Sequence, residues 1–126
     1  MPAMKSIGPF EHIVLEAVAA LAEETYGTRV LDRACTLAGD DVNVGSVYVT
    51  LERLRKKGFL KTVAAKPTGR PGWQPTKIYK LSPFGEAALD ESVQTTERLF
   101  MSYLSRKRER IPDLRYKLKL LQKQRI

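Results

Sequence analysis

The sequence of 126 residues predicts a mainly α chain with one small β-hairpin. Three observations carry that expectation. Apolar residues recur at helical spacing in three successive stretches before Gly58. The period then drops toward two on either side of a loop rich in Gly and Pro. Helical spacing returns after Ser82 and persists to Tyr103.

The first helix rests on Phe10, Ile13, Val14, Ala17, Val18 and Leu21, which fall at i, i+3, i+4, i+7, i+8 and i+11. Pro9 suits its first turn, where a missing N–H costs nothing. His12 lies off the apolar stripe and reads as a surface or capping histidine. Tyr26 and Gly27 read as a turn with Thr28 as the next N-cap, and a second helix runs from Val30 to Ala38 and stops at Gly39. Cys35, on that helix, reads as a small core residue.

The third helix is the stretch around which the others are arranged. Val47, Leu51 and Leu54 share one face, so Gly45, Val49, Glu52, Arg53 and Lys56 fall opposite, with Ser46 and Tyr48 on the flanks. Asn43 is placed to cap it and Gly58 to end it. Three short helices joined by tight turns, the third cationic, form a helix-turn-helix pattern. Its third helix has the make-up of one that enters a DNA major groove, with an ordinary surface helix as the alternative.

After Gly58, residues 59–64 and 77–81 read as two strands. Pro71 and Pro75 cannot donate to a ladder, so the segment between is a loop, and the hairpin is a wing. Arg70 at its tip is placed to reach a minor groove or phosphates, and Lys77 opens the second strand. Trp73 reads either as packing for the wing base or as a partner-facing aromatic. Ser82 and Pro83 then start a long helix. On it Leu89, Val93, Thr96, Phe100 and Tyr103 are spaced 4, 3, 4 and 3, a heptad seam suited to a second copy of the chain. Pro112 interrupts the pattern, and a second amphipathic piece follows. The expected organisation is a winged helix-turn-helix domain over residues 1–82, with a helical dimerisation region and basic tail over 83–126.

Charge sharpens the functional reading. The net +8 is distributed in blocks: residues 53–80 carry nine basic side chains and no acidic one, whereas residues 1–52 carry net −5. An uninterrupted positive block that begins in the third helix is the footprint of a polyanion binder. The 43% apolar and 29% charged fractions describe a globular chain rather than a disordered one. No apolar run approaches the ~18 residues of a membrane span, and one cysteine excludes an internal disulfide framework, which together fit a reducing cytoplasm. With no phosphate loop, paired carboxylates, cysteine–histidine pair or metal-ligand set, the sequence points away from an enzyme, and neither metal nor other cofactor is expected. Two rivals to a sequence-specific regulator stay open: an architectural DNA binder without sequence preference, and a winged helix used for protein contacts.

Five segments, in unbroken order, carry a resemblance: Gly8–Leu15 (GPFEHIVL), Tyr26–Gly27, Gly45–Tyr48 (GSVY), Leu51–Gly58 (LERLRKKG) and Lys77–Gly85 (KIYKLSPFG). Over about residues 7–90 the chain resembles the PadR-like family of bacterial transcriptional regulators. That resemblance implies a winged helix-turn-helix with a dimerising C-terminal helix, acting as a repressor on double-stranded DNA. It implies DNA contacts at the start of the third helix and in the wing, carried here by Ser46, Tyr48, Arg53 and Arg70. Val49, Lys56, Lys57 and Lys77 join that set by their position and charge. Members of the family often sense small aromatic compounds, although no motif in this sequence identifies an effector.

Overall fold

The computed structural model describes residues 6–64, 69, 77–107 and 119. In chain order it contains α1 (Pro9–Leu21), α2 (Gly27–Ala38), α3 (Val44–Lys56), β1 (Leu60–Ala64), β2 (Lys77–Leu81) and α4 (Pro83–Lys107). This is the expected mainly α fold with a winged hairpin. The chain divides into two compact units between Ser92 and Val93, so α4 begins in the first and ends in the second.

The first unit is built around one face from each of three helices. α1 contributes Val14, Leu15, Ala17 and Val18, α2 contributes Val30 and Ala34, and α3 contributes Val47, Leu51 and Leu54, all essentially without solvent exposure. Each such Leu removed from water stabilises the fold by about 1.5–3 kcal/mol. Phe59, Leu60, Tyr79, Ala88 and Leu89 close the core from the hairpin and from the start of α4. Leu89 was the expected first position of the dimer seam; at 7% exposure it belongs instead to the core of its own chain.

β1 and β2 pair antiparallel, with Leu60 opposite Leu81 and Thr62 opposite Tyr79. Tyr26 bridges Ile78 on the other edge of β2. The Tyr79 N–H donates to the Thr25 carbonyl at 3.2 Å, and the buried Thr25 hydroxyl donates to the Tyr79 carbonyl. This short bridge corrects the expected start of the second helix. Tyr26 is the N-cap residue and the helix begins at Gly27, because the chain turns helical as soon as it leaves the sheet. Thr28 is therefore a helical residue and not the cap.

The other end of the hairpin is locked to α3 and α4 together. The Ser82 hydroxyl donates to the Gly58 carbonyl at 2.5 Å and accepts from the Gly85 N–H at 3.0 Å, capping α4 as the sequence predicts. The Ser82 N–H meets the Phe59 carbonyl at 3.0 Å. Gly58, at φ +83°, supplies the left-handed turn between α3 and β1. Gly85 packs so closely that a β-carbon there would overlap the Phe59 carbonyl.

α1 is tied to α3 by charge. Pro9 occupies its first turn, and the Glu11 carboxylate accepts from the Gly8 N–H at 3.0 Å and from Lys57 Nζ at 2.8 Å. Burial alone would push the Glu11 carboxyl up. The Gly8 N–H, the Lys57 ammonium and the nearby Arg53 charge outweigh it and hold the carboxyl below its ordinary value. His12, expected at the surface, is half-buried, and its Nδ1 lies 2.7 Å from the Ser92 hydroxyl on α4. Cys35 is likewise half-buried.

Two predictions follow from these locks. In Gly85→Ala, helix propensity favours alanine by about 1 kcal/mol, but the overlap is with backbone that cannot swing aside. Urea unfolding is expected to show a net loss of about 1–2 kcal/mol, and a gain would contradict the close approach. Glu11→Gln keeps an acceptor for Gly8 and removes the ion pair, with an expected loss of about 2 kcal/mol near neutral pH. Because the folded-state pKa is lowered, that gap is full above about pH 5 and closes as pH falls through the lowered pKa. A gap independent of pH would show that the charge of Glu11 is not what matters.

Candidate nucleic-acid interface

The inward packing of α3 decides what its other face presents. With Val47, Thr50, Leu51 and Leu54 buried, the residues left outside are Val44, Gly45, Ser46, Tyr48, Val49, Arg53 and Lys56. The Asn43 side chain accepts from the Ser46 N–H at 3.1 Å, so the cap predicted from sequence is formed. The opening turn holds only small or β-branched side chains beside the cap, Val44, Gly45 and Ser46, which lets another surface come close to the helix start. Val49, in the middle of the exposed face, is 58% accessible and supplies an exposed apolar surface.

Two open grooves flank this face. One is lined by Val49, Glu52, Arg53, Lys56 and Lys57, the other by Phe10, Asn43, Gly45, Ser46, Val49, Thr50 and Arg53. Val49 and Arg53 line both, so they stand on the ridge between them. Phe10 and Asn43 were not among the expected contact residues. Phe10 comes from the first turn of α1, and only the packing of α1 against α3 brings it to the groove.

The basic residues at the end of α3 differ in what they do. Arg55 Nε donates to Glu52 at 3.0 Å, and that hydrogen bond, ahead of the charges of Lys77 and Lys56, holds the Glu52 carboxyl below its ordinary value. Lys57 is engaged with Glu11 and only 26% of its side chain is exposed. Arg53 and Lys56 remain exposed beside the grooves. Of the expected cations, then, Arg53 and Lys56 are exposed, whereas Lys57 is engaged in holding α3 to α1. Lys77 is exposed at the start of β2, close enough for its charge to act on Glu52. Tyr48 is 40% exposed and leans against the start of α2. Behind it, burial first, then the charges of Glu52 and Tyr48, push the Tyr79 phenol above its ordinary value. Arg70, Trp73 and the expected helical piece after Pro112 lie outside the described residues.

On α4, Val93, Phe100 and Tyr103 are 43%, 40% and 44% exposed, and Thr96 is also exposed. Leu99 and Met101 add further exposed apolar surface that the heptad seam did not include. The Arg106 guanidinium lies 5.7 Å from the centre of the Tyr103 ring, within cation–π range. Among the described residues there is no group of acidic, His and Cys side chains able to hold a metal, and no helix long and apolar enough to cross a membrane.

Comparison with known proteins gives this geometry a family. Comparison with curated sequences returned no match. Among solved structures, a PadR-like transcription factor from Bacteroides fragilis is 26% identical, with a TM-score of 0.57 over 74% of this chain and 84% of the other. A PadR family regulator from Clostridium difficile R20291 is 17% identical, with a TM-score of 0.62 over 79% and 97%. BpsR of Bordetella bronchiseptica, whose DNA binding is regulated by 6-hydroxynicotinic acid, is 20% identical, with a TM-score of 0.58 over 94% and 83%. These last two likenesses establish the fold. The family model of the PadR-like transcriptional regulators matches residues 14–91, from within α1 to within α4. The chain belongs to the PadR-like family of transcriptional regulators.

Proposed function

We propose that this regulator binds a specific operator as a homodimer and acts as a repressor. The observation that carries the reading is the exposed face of α3, where Ser46, Tyr48, Val49, Arg53 and Lys56 lie together between two open grooves. A helix offering small, aromatic, apolar and guanidinium groups in that order can make both base-edge and methyl contacts in a major groove. The wing, with Arg70 and Lys77, adds phosphate contacts that position the domain without reading sequence. Residues 1–82 would form the DNA-binding region, and residues 83–126 would dimerise.

Dimerisation through α4 uses Val93, Thr96, Phe100 and Tyr103. The exposed apolar set there is what a second copy of the same helix would cover. A two-fold dimer presents two α3 helices to one side of a duplex about 34–36 Å apart, which calls for a pseudo-palindromic site. An effector that binds the dimer and changes that spacing would shift the bound population. The regulation of DNA binding of BpsR by 6-hydroxynicotinic acid supports effector control on a similar fold. The protein acts inside the cytoplasm, where its DNA is, and does no catalysis.

The test is selection of bound duplexes from a random pool, followed by measurement of variants on the enriched site. The expected site is an inverted repeat with half-sites one helical turn apart. Failure to enrich any sequence would favour an architectural, non-specific binder. On the enriched site, Arg53→Ala is expected to weaken binding by about 1–3 kcal/mol. A loss of only a few tenths would remove Arg53 from the recognition set.

A further inference from the structure

Gly27 stands at the first helical position of α2, and its backbone does not require glycine. Its φ is not in the left-handed region, unlike those of Gly39 and Gly58. At such a position alanine is the better helix former. What excludes a larger residue is Tyr48, twenty-one positions further along the chain. A β-carbon built on Gly27 falls 2.5 Å from Tyr48 Cε1, 2.8 Å from its hydroxyl oxygen and 2.9 Å from Cζ. The phenol end of the ring therefore occupies the space that a side chain on Gly27 would fill.

This seat involves two elements that are independently fixed. α2 begins where it does because Tyr26 is bridged to Ile78 and Thr25 is bonded to Tyr79. α3 is fixed by the burial of Val47 and Thr50 on either side of Tyr48 and Val49. With both backbones held, the ring rests against the start of α2 while still 40% exposed. A half-exposed tyrosine on an isolated helix would sample several rotamers, and ordering it on DNA would cost entropy.

We propose that Gly27 is a positioning residue for DNA recognition: its missing side chain seats the Tyr48 ring at the start of α2, so that the exposed part of the ring meets the operator already ordered. The inference rests on the DNA-binding role of α3 proposed above. It assigns a specificity function to a residue that has no side chain with which to read DNA.

Two measurements on the full-length protein test it. Nuclear Overhauser contacts between the Tyr48 ring and the Gly27 α-protons report the seat directly, with or without DNA. Operator affinity is then measured for Gly27→Ala, Tyr48→Ala and the double variant. The obstacle to the new methyl is the far end of a side chain, so Gly27→Ala should fold with wild-type or slightly raised stability and lose the contact. It should bind the selected operator about tenfold more weakly, the scale of one good side-chain contact. In the Tyr48→Ala background the same substitution should have no further effect on binding. Absence of the ring contact in the wild type overturns the proposal, as does wild-type affinity in Gly27→Ala. An equal loss in both backgrounds also overturns it, since Gly27 would then act without Tyr48. If the contact is present but the wild type shows no sequence preference on DNA, the recognition role of α3 fails and takes this inference with it. That outcome is distinguishable because the seat itself would still be seen.

Discussion

The burial of one face of α3 is the constraint on which the rest depends. Val47, Leu51 and Leu54 have no solvent exposure, and the fixed angular spacing of a helix leaves no freedom in what the other face then offers. Val49, Arg53 and Lys56 are outside because their neighbours are inside. The exposed surface of α3 is not assembled separately from the core. It is the remainder of the core, and a slip of one residue in the packing of α3 would replace the whole set.

Burial fixes the rotation of α3, and a small number of polar locks fix its ends. At the start, Asn43 caps the helix. At the far end, the Glu11–Lys57 pair holds it to α1, while the Gly58 carbonyl receives the Ser82 hydroxyl from the start of α4. Ser82 thereby connects the end of α3 to the start of α4. Thr25 does the same work for α2, bonding it to β2 on the edge away from β1.

Much of this was legible in the sequence, and the division is physical. Periodicity located α1, α3, β2 and the start of α4, because each has a strong one-sided apolar pattern and a recognisable cap or stop. The start of α2 was displaced because the bridge between Tyr26 and Ile78 joins residues 52 positions apart, and no local signal announces such a pairing. His12 looked peripheral on its own helix, yet it is half-buried and its Nδ1 lies 2.7 Å from the hydroxyl of Ser92, eighty residues later. Most of the exposed face of α3 could be listed from its spacing, although Val44 is exposed and was not in that set, and Glu52 is only half-exposed. That Lys57 and Arg55 are engaged with carboxylates, and that Gly27 makes room for Tyr48, needed the third dimension.

The most direct test of the central claim is fluorescence anisotropy of the purified protein on DNA from its own upstream region, against random duplex, at two salt concentrations. A sequence-reading α3 predicts tight binding that survives excess random competitor, with a moderate loss as salt rises. Weak and equal binding to both duplexes that collapses with salt would contradict it, leaving only phosphate attraction to the basic block between Arg53 and Lys80.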